Sequence, residues 1–288
     1  MKKAIVTKGI GGLYELLNKE GEHVTVQSRG RHKASGIFVG DWVKYSQENV
    51  IEEVLPRKNS LVRPPLANVE QQVLIFTLVS PPLHRELLEK MLLQGELENI
   101  ENIIVLQKMD LIDEKLGQEL AAEYELAGYK TFLISALEGL GLDGLKSQLK
   151  GKISVFAGPS GVGKSSILNA LYSEYELETG ELSEKIQRGR HTTRHTQLYG
   201  DWDRGLVADT PGFYLLDTPK VEPIDLAQHF PELRPALNRC KFTSCLHEGE
   251  PGCAVQELVD AKKISPARFE FYLSFLADMK EYKRGQYS

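Results

Sequence analysis

The stretch that decides the fold reads Gly158-Pro159-Ser160-Gly161-Val162-Gly163-Lys164-Ser165. It matches G-x-x-x-x-G-K-[ST], the pattern of a phosphate-binding loop. An apolar run at residues 153–157 precedes it and a helical pattern at residues 165–171 follows it, which is the strand, loop and helix context that the motif requires. Glycines let backbone N–H groups converge on a phosphate, and the helix N-terminus adds positive potential. We expect Lys164 to reach the β- and γ-phosphates and Ser165 to bind Mg²⁺.

A second phosphate-side motif, Asp209-Thr210-Pro211-Gly212, follows an apolar run that predicts a strand at residues 205–208. An aspartate at such a strand end can hold the hydration shell of Mg²⁺, and a glycine beside the γ-phosphate can respond to hydrolysis. The motif alone is also typical of an ordinary turn. Its position after the phosphate loop and after a strand favours the nucleotide site.

A motif that selects the base lies upstream of the phosphate loop, where Gln107-Lys108-Met109-Asp110 follows a predicted strand at residues 102–106. The Asp110 carboxylate can accept hydrogen bonds from the ring N–H and the 2-amino group of guanine, which adenine does not offer. Ser135-Ala136 follows the next predicted strand, and a backbone N–H there can donate to the guanine carbonyl oxygen. An isolated Q-K-x-D is usually a solvated strand end, but two such elements at successive strand ends indicate a guanine pocket.

The motifs therefore run in the order base motif, Ser-Ala, phosphate loop, Asp-Thr-Pro-Gly, which is a circular permutation of the usual GTPase order. The pocket is unchanged by this permutation because the sheet brings the same strand ends together. Strand and helix patterns alternate through this part of the chain, with helices predicted at residues 114–126 and 142–149, as in a mostly parallel sheet. The predicted GTP-binding residues are Gln107, Lys108, Asp110, Ser135, Ala136, Gly158, Pro159, Ser160, Gly161, Val162, Gly163, Lys164, Ser165, Ser166, Asp209 and Gly212.

The chain has 288 residues and a formal net charge of −5, which at first argues against a nucleic-acid partner. The charge is uneven, however: residues 1–65 carry 11 Lys and Arg against 7 Asp and Glu, and residues 66–217 carry 14 against 23. The first block has short β-rich runs separated by glycines, which predicts a small β-barrel. No run of 18 apolar residues and no secretory signal pattern is seen, so we expect neither a membrane partner nor export.

All three cysteines lie within 14 residues in the pattern C-x₄-C-x-H-x₅-C, formed by Cys240, Cys245, His247 and Cys253. Three thiolates and one imidazole satisfy tetrahedral Zn²⁺ and leave no open coordination position, so a single structural zinc is predicted. The surrounding loop has little apolar content, and metal binding can supply its folding free energy. The alternative is a set of buried thiols without metal.

These motifs together give a resemblance to a known family. The chain resembles the circularly permuted, small-subunit-dependent GTPases of bacteria, often called the RsgA type, over essentially its whole length. The resemblance rests on the permuted motifs, on the Cys/His set, and on two further stretches, Val39-Gly40-Asp41-Trp42-Val43 and Gly189-Arg190-His191-Thr192-Thr193. It implies a multidomain α/β protein with an N-terminal OB-fold barrel (1–65), a central P-loop GTPase domain (66–217) and a mainly helical zinc-binding domain (218–288).

The resemblance also implies partners and site residues. It implies binding to the 30S ribosomal subunit and its 16S rRNA late in subunit maturation, in the cytoplasm, and we expect a monomer. Thr193, with Thr192 as second choice, is expected to join Ser165 and Asp209 at Mg²⁺. Arg194 stands where the family commonly has a further threonine, and Gln107 stands where it usually has asparagine, so the extra methylene changes the reach of that amide.

The residue that positions the attacking water cannot be at the sequence position that Ras-like GTPases use. The position after Asp-Thr-Pro-Gly is Phe213, which cannot hydrogen-bond water, where Ras-like GTPases use glutamine. His191 lies in the expected switch segment, and neutral imidazole can accept a hydrogen bond from water. We therefore predict His191 and Lys164 as catalytic, with slow hydrolysis that a ribosomal partner accelerates. A solvated or RNA-facing His191 is the alternative.

Three basic residues between predicted barrel strands, Arg29, Arg31 and Lys33, are expected to contact rRNA phosphates, with a solubilising hairpin tip as the alternative. Two other functions stay open at this point. One is a binding module in which GTP locks an RNA-binding conformation and hydrolysis is vestigial, which Phe213 permits. The other is an ATP-using RNA remodelling factor, against which Asp110 argues.

Overall fold

The structure is a computed structural model and describes residues 1–28, 36–62, 65–175, 196–209 and 221–285. The N-terminal part is a closed barrel with the strand order β1-β2-β3-β5-β4. Its β3 and β5 run parallel, whereas the other neighbouring strands are antiparallel. This five-stranded Greek-key barrel confirms the predicted OB-fold. The strands are β1 (Lys2–Ile10), β2 (Leu13–Asn18), β3 (His23–Ser28), β4 (Trp42–Tyr45) and β5 (Val50–Val54).

Alternation along β1 divides the side chains of this strand between two cores. Ala4 and Val6 pack inside the barrel, whereas Ile5 between them packs outward against the central sheet. Successive side chains of a strand point to opposite faces, so one strand can serve both cores. The barrel is therefore fixed to the next part of the chain by apolar burial as well as by the covalent link.

The Val-Gly-Asp-Trp-Val stretch of the barrel is explained by a buried ion pair. The carboxylate of Asp41, fully buried, accepts from Arg57 Nε at 2.7 Å and Nη2 at 2.8 Å, and from the Phe38 N–H at 2.8 Å. The Asp41 carboxylate raises the pKa of Arg57 through these hydrogen bonds. Gly40 has φ +86°, and a Cβ there would overlap the Ala67 carbonyl oxygen. Local packing and hydrogen bonding thus require both Gly40 and Asp41 of this motif.

The central part is a six-stranded sheet with the order β10-β9-β8-β11-β13-β12, parallel except for β12. A short hairpin of β6 (Ser60–Val62) and β7 (Pro65–Ala67) leads into it. Its inner strands are buried along their whole length, as parallel strands covered on both faces must be. The strands are β8 (Gln71–Phe76), β9 (Glu101–Gln107), β10 (Lys130–Ile134), β11 (Ile153–Ala157), β12 (Leu198–Asp201) and β13 (Gly205–Asp209).

Where the structure describes the connections between these strands, they contain α1 (Arg85–Leu97), α2 (Glu114–Leu126), α3 (Leu142–Leu149) and α4 (Lys164–Leu171). The sequence predicted α2 and α3 with these bounds and α4 within one residue, but it did not predict α1. The N-terminus of α1 has no Ser, Thr, Asp or Asn cap; instead the His84 ring Nδ1 accepts from the Leu87 N–H at 3.2 Å. This unusual cap is the reason the helix start gave no signal in the sequence.

The barrel contacts the β12–β13 hairpin through the two tryptophans of the chain. Trp42 of β4 stacks on Trp202 with ring centroids 5.4 Å apart and planes 9° from parallel. Trp202 Nε1 donates to the Asn18 carbonyl at 3.0 Å, and the Lys3 ammonium lies 4.7 Å from the Trp42 ring centroid. Offset stacking and cation–π contacts of this kind add to apolar burial. Trp42 lies half-buried at this interface.

The C-terminal part is mainly helical, as predicted. Two 3-10 helices (Pro223–His229 and Arg234–Ala236) lead into α5 (Ala254–Asp260) and the long α6 (Pro266–Gly285). Tyr272 and Phe275 of α6 share an apolar core with Phe230. Among the described residues, no helix is long and apolar enough to cross a bilayer.

A buried ion-pair network joins the C-terminal part to the central sheet. The Arg268 guanidinium of α6 pairs with Glu89 of α1 and with Glu232, and all three side chains are almost fully buried. Tyr124 of α2 donates to the second Glu89 oxygen at 2.9 Å. Burial raises the pKa of Glu89, and the positive charge of Arg268 opposes that shift. Arg268 thus links α6 to two helices of the nucleotide-motif domain.

Candidate functional site

The phosphate loop connects β11 to α4 as the sequence predicted. Gly158, Gly161 and Gly163 have φ of +146°, +78° and +96°, a region that other residues rarely adopt. A Cβ at Gly158 would overlap the Ile75 carbonyl oxygen of the neighbouring strand. Gly163 is the N-cap of α4, so the loop turns backbone N–H groups and the positive end of the helix toward one point.

Lys164 lies across this loop in an environment suited to phosphate. Its ammonium donates to the Gly158 and Pro159 carbonyls, each at 2.8 Å. Burial lowers the pKa of Lys164, and the charge of Asp209 opposes that shift. Asp209 ends β13 and pairs with Phe156 of β11, just before the loop. The structure therefore brings the predicted lysine and aspartate to the same end of the sheet.

The base motif reaches the phosphate loop through one lysine. The Lys108 ammonium donates to the Gly161 carbonyl at 2.8 Å and to the Ser80 carbonyl at 2.6 Å. Lys108 itself has φ +64°, which turns the chain sharply out of β9. The Ser80 carbonyl was not predicted to take part, since a backbone acceptor leaves no mark on the sequence. The base motif, the phosphate loop and the loop after β8 are thus held together.

The residues of the predicted base pocket lie together at the ends of β9 and β10. The Asp110 carboxylate accepts from the Ser135 hydroxyl at 2.5 Å, and that hydroxyl also accepts from the Glu138 N–H at 3.2 Å. The Ala136 N–H donates to the Gln107 side-chain oxygen at 3.2 Å. Asp110 is exposed and Gln107 is buried, so the carboxylate lies at the rim and the amide beneath it.

Several predicted residues lie outside the described part of the chain. They are His191, Thr192, Thr193 and Gly212 of the nucleotide site and Arg29, Arg31 and Lys33 of the predicted rRNA contact. Ser165 and Ser166 are described and lie in the first turn of α4, directly after Lys164. The described residues thus include the phosphate and base sides of the pocket.

The three cysteines and His247 converge on one point, as predicted. Their ligand atoms all lie within 4.8 Å of one another, and His247 Nδ1 is 3.4–3.6 Å from each of the three sulfurs. A tetrahedral Zn²⁺ with bonds of about 2.0–2.3 Å requires ligand separations of this size. The cluster therefore fits a structural zinc site with four protein ligands.

Contacts around the cluster fix its geometry. The Ala254 N–H at the start of α5 donates to Cys240 Sγ at 3.3 Å. The Glu250 carboxylate accepts from the Leu246 and Glu248 N–H groups, each at 2.7 Å, and closes the loop between ligands. Tyr272 of α6 donates to the Leu246 carbonyl at 2.7 Å. Such surrounding hydrogen bonds orient metal ligands, and here they join the cluster to both C-terminal helices.

Comparisons with known proteins agree with this geometry. A family model described as "RsgA GTPase" matches residues 54–219. The protein named "Small ribosomal subunit biogenesis GTPase RsgA" from Geobacillus thermodenitrificans is 43% identical, over 98% of this chain and 99% of its own length. The protein of the same name from Moorella thermoacetica is 45% identical, over 93% and 94% of the two chains.

Two solved structures are similar along almost the whole chain. The crystal structure of YjeQ from Thermotoga maritima superimposes with a TM-score of 0.81 at 35% identity, covering 96% of this chain and 98% of that one. The crystal structure of YloQ, described as a circularly permuted GTPase, has a TM-score of 0.80 at 34% identity, covering 98% and 96%.

Proposed function

We propose the function of this chain from one premise: it belongs to the RsgA GTPase family. It is a GTP hydrolase that binds the small ribosomal subunit and acts in the biogenesis of that subunit. GTP and GDP are its nucleotides, the 30S particle and its 16S rRNA are its partners, and the cytoplasm, where subunits are assembled, is its compartment. We further propose that it acts as a monomer.

One observation carries the nucleotide part of this proposal. The Lys108 ammonium bonds Gly161 across 53 residues, so a base motif that comes first in the chain meets a phosphate loop that comes later. A pocket assembled from motifs in permuted order is difficult to explain except as a guanine nucleotide site. Adenine offers no ring N–H to the Asp110 carboxylate, which disfavours an ATP-using factor.

We assign separate roles in the proposed site to the residues that line it. Backbone N–H groups of residues 158–165 and the Lys164 ammonium hold the phosphates and counter the charge that develops during phosphoryl transfer. The Asp110 carboxylate selects guanine, and Lys108 packs along the base. Ser165 and Asp209, with Thr193 outside the described residues, would hold Mg²⁺, which would neutralise phosphate charge.

We assign the positioning of the attacking water to His191. Phe213 follows the Asp-Thr-Pro-Gly motif and offers no hydrogen bond, so the water requires another acceptor. Neutral imidazole can accept a hydrogen bond from that water. His191→Ala should leave GTP binding intact and remove the acceleration of hydrolysis by the 30S subunit. A stimulated rate that survives the substitution would remove His191 from the mechanism.

The proposed division of the chain is residues 1–65 for RNA, 66–217 for GTP and 218–288 for one structural zinc. The barrel contributes Arg29, Arg31 and Lys33 to rRNA phosphates. Such contacts release counterions, so subunit binding should weaken as salt rises, and replacing these residues with glutamine should flatten that salt dependence. An unchanged salt dependence would place the contact elsewhere.

The decisive experiment measures phosphate release from GTP with and without purified 30S subunits. We expect slow release from the protein alone and a large increase with subunits. Asp110→Asn should lose GTP and accept xanthosine triphosphate, because an amide N–H can donate to the 2-oxo group of xanthine. An absence of stimulation would favour the RNA-binding module with vestigial hydrolysis, and unchanged base preference in the variant would contradict the base site.

A further inference from the structure

We propose that Gln107 weakens guanine binding and speeds nucleotide release by holding the backbone N–H that the base would otherwise use. This inference rests on the proposed guanine site and deepens it. The acceptor is the Gln107 side-chain oxygen, 3.2 Å from the Ala136 N. The same N–H is the donor proposed for the carbonyl oxygen at C6 of guanine. A backbone N–H carries one proton, so the two acceptors compete for it.

The position of Gln107 is fixed by its surroundings. It is the last residue of β9, where it pairs with Ile134 of β10 in the parallel register. It is 4% exposed, and its Cγ and Nε2 atoms lie 3.2 Å from where a Cβ of Gly163 would stand. The side chain is therefore enclosed between the phosphate loop and the Ser135-Ala136 turn.

The length of the side chain decides whether this competition exists. Asparagine at the same backbone position would carry its amide one carbon–carbon bond less far, about 1.5 Å. Its oxygen would then fall outside hydrogen-bond distance of the Ala136 N, since the present distance is already 3.2 Å. The strand register prevents the backbone from sliding to restore the contact. An asparagine would thus leave the N–H available to guanine.

The other described base-motif residues do not have to give up a hydrogen bond to admit the base. Asp110 is held by the Ser135 hydroxyl at 2.5 Å, and Lys108 is held by the Gly161 and Ser80 carbonyls. A carboxylate has several acceptor sites, so Asp110 can keep Ser135 and still accept from guanine. Among the described residues at this strand edge, it is the Ala136 N–H that must exchange one partner for another when the base enters.

The expected size of the effect follows from the worth of one hydrogen bond. To bind guanine, the Ala136 N–H has to give up its hydrogen bond to Gln107. This loss should reduce guanine nucleotide affinity by about three- to tenfold relative to a pocket in which the N–H has no other acceptor. The difference should lie mainly in the dissociation rate, because affinity differences between closely related complexes arise mainly there. The chain would thereby exchange GDP rapidly without a separate exchange factor.

The test compares Gln107→Asn with the wild-type full chain in titrations and dissociation kinetics with GDP, IDP and ADP. GDP and IDP both have the C6 oxygen, so each should bind about three- to tenfold more tightly to the variant and leave more slowly. ADP has an amino group at C6 and should gain nothing. Gln118→Asn, the same change on the exposed face of α2, is the matched control and should change none of the three.

Asp110→Asn separates failure of this inference from failure of the proposed site. If that variant loses GDP and gains XDP while Gln107→Asn binds GDP equally or less tightly, the base site stands and the inference is overturned. If Gln107→Asn binds GDP, IDP and ADP more tightly by the same factor, the substitution has changed the pocket in general, and the inference is also overturned. If Asp110→Asn keeps its preference for GDP, the base does not lie here, and both the site and the inference fall.

Discussion

At the scale of single residues, Gly158 shows how backbone packing dictates a residue of the nucleotide site. A Cβ at this position would overlap the Ile75 carbonyl of the adjacent strand. Gly158→Ala should therefore lower the free energy of unfolding by about 1–3 kcal/mol beyond the strain of its φ and abolish GTP binding. Urea unfolding and GTP titration measure the two effects.

The control for Gly158 is Gly139, which also has a positive φ (+71°) but no neighbouring atom within 4 Å of an added Cβ. Gly139→Ala should cost only the conformational strain, about 1–2 kcal/mol, and keep GTP binding. Equal losses in the two variants would mean that strain alone, and not the Ile75 carbonyl, excludes alanine from position 158.

Asp41, which directly precedes β4 of the barrel, provides a second residue-scale prediction. Asp41→Asn removes the charge that holds the Arg57 guanidinium and should destabilise the protein by about 3 kcal/mol. Lys44→Gln breaks the exposed pair with Glu53 and should cost less than about 1 kcal/mol. Calorimetry on both variants checks the difference, and similar melting temperatures would show that the Asp41 pair contributes no more than a surface pair.

The sequence predicted the nucleotide residues because side chains in fixed spacing leave a pattern. Lys164, Asp110 and the glycines were predicted to bind nucleotide in this way, and the structure brings Lys164, Asp209 and Lys108 to one end of the sheet. The Ser80 carbonyl that Lys108 contacts could not be predicted, since every residue has a carbonyl. The hydrogen bond from Ala136 to Gln107 also required the strand register, which sequence spacing does not provide.

At the scale of elements, the loop that carries Cys240, Cys245, His247 and Cys253 fits a structural zinc site, and we expect it to depend on metal for its shape. Cys245→Ser should lose zinc, which colorimetric release would quantify, and should unfold the loop, because metal binding and folding are linked. A lower melting temperature should accompany the loss. Chelation of the wild-type chain should reproduce both results.

The matched control in this loop is Thr243→Ser, an exposed residue between two ligands. It should keep one zinc per chain and the wild-type melting temperature. Wild-type zinc content in Cys245→Ser would contradict a four-ligand site, and a stable, fully folded protein after complete zinc removal would show that the loop does not depend on metal.

Elements with a regular apolar pattern were predicted well, and those held by tertiary contacts were missed. Residues 142–149 and 153–157 have the predicted type and bounds. β2 and α1 were not predicted, and α1 begins with a histidine cap after two prolines. Buried polar residues such as Gln71 and Gln72 also begin β8, where they are satisfied by distant partners that the sequence does not reveal.

At the scale of the whole molecule, Arg268 determines how the C-terminal domain sits on the central sheet. Arg268→Met would leave Glu89 and Glu232 as buried carboxylates without their cation, at a cost of about 3–5 kcal/mol. Arg234→Met breaks a more exposed pair with Glu96 between the same two domains and should cost less than about 1 kcal/mol. Denaturant unfolding compares the two, and equal stability would show that apolar packing alone holds the domains together.

The distribution of charge over the domains reconciles a net charge of −5 with the RNA partner that we propose. The excess of acidic residues belongs to the central sheet and its helices, while the barrel block has an excess of basic residues. Since electrostatic attraction to RNA is screened within about 10 Å at moderate salt, the local charge of the barrel matters more than the total. The barrel block is therefore the part of the chain that we propose for rRNA contact, and its contacts with the sheet are the route by which we expect that binding to influence the nucleotide site.

We expect the stacked pair of Trp42 and Trp202 to transmit the effect of RNA binding from the barrel to the nucleotide site. Trp202 lies in the β12–β13 hairpin, which begins just after the segment containing His191 and ends at Asp209. Trp202→Ala should cost about 3–5 kcal/mol of docking energy while leaving the barrel's own core of Ala4 and Val6 intact. The barrel should then unfold in a separate calorimetric transition. Stimulation of GTP hydrolysis by 30S subunits should fall more than the intrinsic rate.

Trp202→Phe is the control for this last variant, since it keeps an aromatic ring on Trp42 and loses only the hydrogen bond to the Asn18 carbonyl. It should cost about 1 kcal/mol and retain a single transition. With one tryptophan left, the emission of Trp42 reports docking directly: it should shift to longer wavelength in Trp202→Ala and stay near the wild-type position in Trp202→Phe. Full stimulation by 30S subunits in an undocked Trp202→Ala protein would show that the barrel only tethers the enzyme to RNA. Loss of stimulation with intact RNA binding would show that the docked hairpin transmits that binding to the nucleotide site.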